Sequence, residues 1–297
     1  MTAQPTTDRL AVPGGKIYYE VRGSGPLLLV VGQPMTSGPF APLADLLATD
    51  HTVVTYDPRG VGESVADDRS LAVTPEVEAD DLAAIIDAVG GGPADMFGTS
   101  GGAVAGLALA TRNPSKVRTL IAHEPPVGEL LPDAPYARAA VDDIEDTYQT
   151  GGAGAAWGKF VSFVMLDGPV PEDGVPPAAW PPPGQDAPGD QGQGADDAGA
   201  GQAPPEPSEK QRADDELFFL RMLKPFTRYQ PDVDALRSGT PRIVVAVGEA
   251  SRGELARRSA DALAEQLGTP AVTFPGHHGG FMDDPAGFAG RIRELLG

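Results

Sequence analysis

Three apolar runs that lack period-two alternation constrain this chain more than any other feature: residues 27–31 (LLLVV), 117–122 (VRTLIA) and 243–247 (IVVAV). A strand with one face in water alternates apolar and polar side chains, whereas a strand covered on both faces does not. Coverage of both faces marks a mainly parallel sheet whose crossover helices lie on either side. Helical spacing alternates with these runs: at 40–47, at 77–89 behind a Thr74-Pro75 start, at 100–112, at 252–267, and from Asp284-Pro285 to 296. Further strands are expected at 16–21 (KIYYEV), 52–56 (TVVTY), 94–97 and 271–274. The repeated strand-helix order predicts an α/β fold with a mostly parallel central sheet and helices on both faces.

The pattern is interrupted once. Between 125 and 237 the strand signals stop, and helical segments at about 136–148, 155–166 and 210–223 flank a stretch, 168–207, crowded with Gly and Pro. The chain holds 38 Gly and 31 Pro among 297 residues, and much of that excess falls here. Such a composition cannot bury enough apolar area to offset its chain entropy, so a flexible segment is expected at 168–207. The expected organisation is one core domain, 1–124 with 238–297, carrying a helical cap insertion at 125–237.

Charge narrows the partners. Forty-two acidic against twenty-two basic side chains give a formal net charge of −20, whose field repels phosphate backbones and anionic lipid. Neither nucleic acid nor a membrane surface is an expected partner; a small-molecule substrate is. The absence of cysteine removes disulfides, thiolate metal sites and a thiol nucleophile together, and the four histidines have no metal-binding spacing, so no metal is expected. The first residues, MTAQPTTDRL, lack the basic and apolar regions of a secretory signal, from which a cytoplasmic location is expected.

The chemistry is concentrated at carboxyl ends of strands. Gly98-Thr99-Ser100-Gly101-Gly102 is a G-x-S-x-G that follows a strand signal and opens a helix. A nucleophile on such a sharp strand-to-helix turn needs small neighbours, because side chains two positions away would strike adjoining backbone. A serine nucleophile also needs a base. The loop after the last strand, Phe274-Pro275-Gly276-His277-His278-Gly279-Gly280-Phe281, would bring an imidazole to the same edge of the sheet.

At this point the chain resembles the α/β-hydrolase fold superfamily, in the form of a capped serine esterase or lipase. The family's G-x-H-G-x-F matches with His278 as the base, leaving His277 at the variable, solvent-facing position. Residues 57–64 (DPRGVGES) resemble the family's D-x-R-G-x-G-x-S turn, which implies a scaffold role for Asp57 and Arg59. Residues 31–34 (VGQP) stand where the family has His-Gly-x-Pro, with Val31 replacing the histidine. The resemblance implies that the N–H groups of Gln33 and Gly101 form the oxyanion hole.

Many relatives place the third member of the triad after the penultimate strand as G-x-x-D, but residues 248–251 here read GEAS. Other members place a glutamate just after the strand that follows the nucleophile helix, and that position is Glu124. Glu124 is the preferred acid and Glu249 the alternative. In the cap, Trp157, Phe160, Phe219 and Met222 are candidates for an apolar pocket roof; they can equally pack cap helices on one another.

The expected function is a serine hydrolase that cleaves an ester, lactone or thioester of a small apolar molecule through an acyl-enzyme, without a cofactor. The alternative keeps the fold and leaves hydrolysis: a lyase, cyclase or lactone-forming tailoring enzyme. Serine at the turn argues against haloalkane dehalogenase or epoxide hydrolase chemistry, which needs aspartate there.

Overall fold

The structure is a computed structural model, and it describes residues 4–90, 92–174 and 207–297. The chain opens with β1 (Thr6–Val12), β2 (Gly15–Gly23) and β3 (Leu27–Gln33), then α1 (Ala41–Leu47), β4 (Thr52–Tyr56) and the short β5 (Val65–Ala66). Strand and helix then alternate through α2 (Pro75–Val89), β6 (Ala94–Ser100), α3 (Gly101–Arg112) and β7 (Val117–His123). Among the described residues four α-helices follow before the sheet resumes: α4 (Ala134–Val164), α5 (Glu209–Leu217), α6 (Leu223–Thr227) and α7 (Val233–Ser238), with a π-helical turn, Phe218–Met222, joining α5 to α6. The chain closes with β8 (Arg242–Gly248), α8 (Leu255–Leu267), β9 (Val272–Phe274), α9 (Gly280–Asp283) and α10 (Pro285–Leu296).

The strands form one sheet in the order β1-β2-β4-β3-β6-β7-β8-β9, with β5 paired to β2. From β4 to β9 every pairing is parallel; β2 pairs antiparallel with both β1 and β4. The unalternating runs lie in its centre, and β3 shows why they do not alternate. Leu27, Leu29 and Val31 enter the core shared with α2, α3 and α8, while Leu28 and Val30 enter a second core with α1, α9 and α10. Both sets are apolar because both faces are covered.

Helix starts follow the expected chemistry. Thr74 Oγ1 accepts from the Val77 N–H at 3.4 Å with Pro75 in the first turn, and Asp284 Oδ1 accepts from the Gly287 N–H at 2.8 Å ahead of α10.

Four details differ from the sequence expectations. β1 gave no signal, because an edge strand with mostly exposed residues has no apolar face to reveal it. α8 begins at Leu255, not 252, since residues 249–254 form the loop that leaves β8. The helices expected at 136–148 and 155–166 are one run, α4, broken at Gly152, whose φ of 81° and ψ of 176° are non-helical. The helix expected at 210–223 passes into the π-helical turn instead of continuing as α-helix.

Of the Gly/Pro-rich stretch 168–207, residues 175–206 lie outside the described residues. Its first part is anchored rather than free: Gly168 N–H donates to Gly253 O at 2.9 Å, and the buried Val170 donates its N–H to Asp133 Oδ2 at 2.7 Å. Contacts also tie the β7–β8 helices to the rest of the chain. Val73 N–H donates to Arg221 O at 3.0 Å, Arg69 Nη2 donates to Ala213 O at 2.7 Å, and Arg258 pairs with Asp133.

Candidate active site

The carboxyl ends of β3, β6 and β7 and the β9–α9 loop meet at one edge of the sheet. In the β3–β6 ladder Gln33 stands opposite Ser100, and in the β6–β7 ladder Thr99 stands opposite His123.

Ser100 occupies the turn from β6 into α3 with φ 54° and ψ −129°. A non-glycine residue at such a φ is strained by roughly 1–2 kcal/mol, and it persists only where its surroundings enforce it. The surroundings here are close-packed backbone. A Cβ on Gly98 would lie 2.7 Å from Gly102 O, and one on Gly102 would lie 2.6 Å from both Gly32 Cα and Val31 O. The G-x-S-x-G glycines thus let α3 press against β3, and the turn lifts Ser100 into a partly exposed position.

Glu124, directly after β7, is the second non-glycine residue with positive φ, at 46°. Its backbone N–H donates to Ala246 O at 2.9 Å, and its side chain is fully buried. Oε1 accepts from the Gly248 N–H at 2.8 Å, and Oε2 lies 2.8 Å from His278 Nδ1. Burial alone would push this carboxyl up, but the hydrogen bond from His278, the nearby imidazoles and the Gly248 N–H together hold it at about 2. As an ionised acceptor it fixes the proton of His278 on Nδ1, which leaves Nε2 as the basic ring nitrogen.

His278 stacks beside a second imidazole, His123, with ring centroids 6.3 Å apart. His123 is fully buried, and its Nδ1 lies 3.0 Å from Thr99 Oγ1, on the residue before Ser100. Burial pushes His123 down to about 4, so it is neutral at ordinary pH and adds no competing positive charge behind His278. A chain of contacts therefore runs from the Ser100 turn through Thr99 and His123 to His278.

The remaining sequence candidates fall out as follows. The Glu249 side chain accepts from the Gly276 N–H at 3.4 Å in an exposed position, and His278 pairs with Glu124 instead. His277 is half-exposed and bridges Asp283 and the Gly279 N–H. Ser251, at the position where relatives carry an acid, is fully buried with no partner for its Oγ among the described residues. Asp57 accepts from the N–H groups of Ser37 and Glu63, each at 2.8 Å, and Arg59 pairs with Asp81, so both brace the turn after β4. Among the described residues no group of three or more side chains is arranged to hold a metal, and no helix is long and apolar enough to cross a membrane.

Gln33 is buried, and its side chain donates from Nε2 to Tyr56 Oη at 3.2 Å. Gly101 lies against it: a Cβ on Gly101 would be 2.8 Å from Gln33 Cβ.

Of the aromatic candidates, Trp157 stacks on Phe218 at 5.1 Å, meets Phe160 and Phe219 edge-on, and donates from Nε1 to Asp215 at 3.0 Å. Phe219 and Met222 are buried among these helices. Phe226 on α6 comes close to the Ser100 turn: its Cδ1 lies 3.4 Å from where a Cβ on Gly101 would sit. Sequence reasoning passed over its proximity. The π-helical turn that precedes α6 shifts the register of the side chains beyond it, and no spacing argument captures such a shift.

Known proteins share this fold. The sequence profile of the alpha/beta hydrolase fold matches residues 25–200. The hydrolase YraK of Bacillus subtilis is 30% identical over 294 residues, covering 97% of this chain and 94% of its own. Among solved structures, a thermophilic esterase from Thermogutta terrifontis superposes with a TM-score of 0.67 at 20% identity, over 99% of this chain and 98% of that one. The N-acyl homoserine lactonase AidH superposes with a TM-score of 0.60 at 17% identity, over 99% of this chain and 96% of that one. Strand order, the Ser100 turn and the full-length match to YraK lead to one conclusion: the chain belongs to the alpha/beta hydrolase fold family.

Proposed function

We propose that the protein is a serine hydrolase that cleaves an ester-like bond, in an ester, lactone or thioester, of a small apolar substrate. The observation that carries this reading is the pairing of the ionised Glu124 with His278 Nδ1, at the same sheet edge as a serine in the strained turn. Ser100 Oγ attacks the carbonyl carbon while His278 Nε2 takes its proton, and Glu124 stabilises the imidazolium that forms. The N–H groups of Gln33 and Gly101 receive the developing oxyanion. The tetrahedral intermediate collapses as His278 returns the proton to the leaving alkoxide or thiolate, leaving an acyl group on Ser100. Water, deprotonated by His278, then attacks the acyl carbon and frees the acid and the serine. A Ser100 that opens a helix adds backbone N–H dipoles to the oxyanion side.

Residues 125–237 act in this reading as a cap. Phe226 closes over the Ser100 turn, and the cluster around Trp157, Phe160, Phe219 and Met222 gives that cap an apolar interior. An apolar roof favours a substrate with an apolar acyl or ring portion. The similarity to an esterase and to an acyl homoserine lactonase agrees with an ester-like bond.

The test is a fluorophosphonate probe together with p-nitrophenyl esters. Labelling of Ser100 with ester turnover, both lost in Ser100→Ala, is the expected result. Labelling without turnover of any ester, lactone or thioester would favour a non-hydrolytic reaction on the same residues, and no labelling would remove the nucleophile assignment.

A further inference from the structure

The proposed chemistry makes no use of Glu78, an acid on α2 that is fully buried. Its carboxylate meets two donors: Tyr56 Oη gives its proton to Oε2 at 2.7 Å, and the Arg59 backbone N–H donates to Oε1 at 3.0 Å. A tyrosine hydroxyl has one proton. With that proton committed to Glu78, the oxygen can only accept from its other neighbour. That neighbour is the Gln33 amide, with Nε2 at 3.2 Å. Two hydrogen bonds therefore connect an acid on α2 to Gln33, and Gln33 packs in turn against Gly101.

The direction of each bond is set from the Glu78 end. In its ionised form, which it takes above about pH 7, the carboxylate accepts only, so Tyr56 must donate to it and accept from Gln33, and Gln33 must present its amide nitrogen. This holds the Gln33 side chain in one orientation at the end of β3. Burial pushes Glu78 up to about 7, with the nearby Asp81 adding to the effect, and Arg59 commits its guanidinium to Asp81 at 2.9 Å. Packing by itself favours an apolar side chain at a site that buries a carboxylate without an ion pair of its own. What the carboxylate adds is the orientation of the network.

We propose that Glu78 is a positioning residue of the oxyanion site: through the Tyr56 hydroxyl it fixes Gln33, so that the Gln33 and Gly101 N–H groups converge on one point. The inference rests on the assignment of those two residues as oxyanion donors made above.

Full-length Tyr56→Phe, Glu78→Gln and the double variant are assayed with p-nitrophenyl butyrate, reading kcat, KM and Tm. Glutamine can offer its single carbonyl oxygen to Tyr56 or to Arg59, with its NH2 facing the other donor, so Glu78→Gln breaks the chain at one end. Each single variant is expected to lower kcat roughly tenfold to a hundredfold with KM nearly unchanged, less than removing an oxyanion donor outright. Because both substitutions cut the same chain, the double variant is expected to lose no more than the more impaired of the two single variants. A purely structural role would lower Tm and leave the kcat of the folded enzyme intact; that result overturns the proposal, as do losses that multiply in the double variant. Tyr56→Phe removes one oxygen atom, so it keeps the test readable if Glu78→Gln fails to fold. Ser100→Ala, run alongside, separates the two levels: retained turnover there defeats the hydrolase reading itself, whereas abolished turnover with an unaffected Tyr56→Phe defeats only the role of Glu78.

Discussion

Two residues in the described chain other than glycine adopt positive φ, and they are Ser100 and Glu124. Strain at both, each enforced by neighbouring backbone, distinguishes these positions from an ordinary serine and glutamate. Under the proposed roles Glu124→Gln lowers kcat by about 10³–10⁴-fold, because a neutral amide neither fixes the His278 proton nor stabilises the imidazolium. Steady-state turnover of a p-nitrophenyl ester measures this, and near-normal turnover would remove Glu124 from the mechanism. Glu78 supports a different experiment. Held at about 7, it binds its proton more tightly in the folded chain than in the unfolded one, so its contribution to stability is full below the ordinary carboxylate range and is lost as pH rises through 7. His123, held at about 4, acts in the opposite sense: folding is disfavoured as pH falls from the ordinary imidazole range toward 4. His123 is common to wild type and Glu78→Gln, so it cancels in their difference. Between about pH 5 and about pH 8 the wild type is expected to lose stability that the variant does not, on the order of 2–3 kcal/mol, read from thermal melts at the two pH values.

At the scale of elements, the close approach of α3 to β3 depends on Gly102, where the atoms nearest to a Cβ would all be backbone, at 2.6–2.7 Å. Gly102→Ala is therefore expected to destabilise by roughly 1–3 kcal/mol or more, a Tm drop of several degrees. Gly290 in α10 is the control. Nothing lies within 4 Å of a Cβ there, so alanine at that exposed helical position is expected to raise stability by about 0.5–1 kcal/mol. This contrast also explains what the sequence could reveal. The central strands and the Ser100 turn were readable, because burial on both faces and obligatory glycines leave marks in the local pattern. β1 was not readable, since an exposed edge strand needs no apolar face. Glu78 and Asp81 were hidden for another reason. They stand among Glu76, Asp80 and Asp87 on α2 and look like a solvated helix face, yet both are buried against partners that lie some twenty residues away in the chain. Phe226 was obscured by the π-helical turn before it, and the Tyr56 link by the distance in sequence between β4 and α2.

At the scale of the whole molecule, the net charge of −20 surrounds a site whose proposed base is a single histidine. Long-range repulsion is expected to slow the approach of anionic esters and to spare neutral ones. The ratio of kcat/KM for a neutral ester to that for a carboxylate-bearing analogue should therefore fall as salt is raised from about 0.01 M to about 0.5 M, where the screening length shrinks to a few ångströms. A ratio independent of salt would mean that local contacts alone govern the preference. Placing the acid at the end of β7 has a mechanical result as well. One peptide bond separates Glu124 from Pro125, the first residue of the chain that leaves the sheet for α4 and its neighbours. If these helices form the proposed cap, an acid after β8 would leave that cap free to shift without touching the imidazole's partner, whereas here the cap and the acid share one stretch of backbone. Under the proposed roles, ligands bulky enough to prise the proposed cap upward would tug on the carboxylate paired with His278. Turnover along a series of lengthening acyl chains should then collapse while KM stays level, so that the enzyme rejects oversized esters by stalling on them rather than by refusing to bind them.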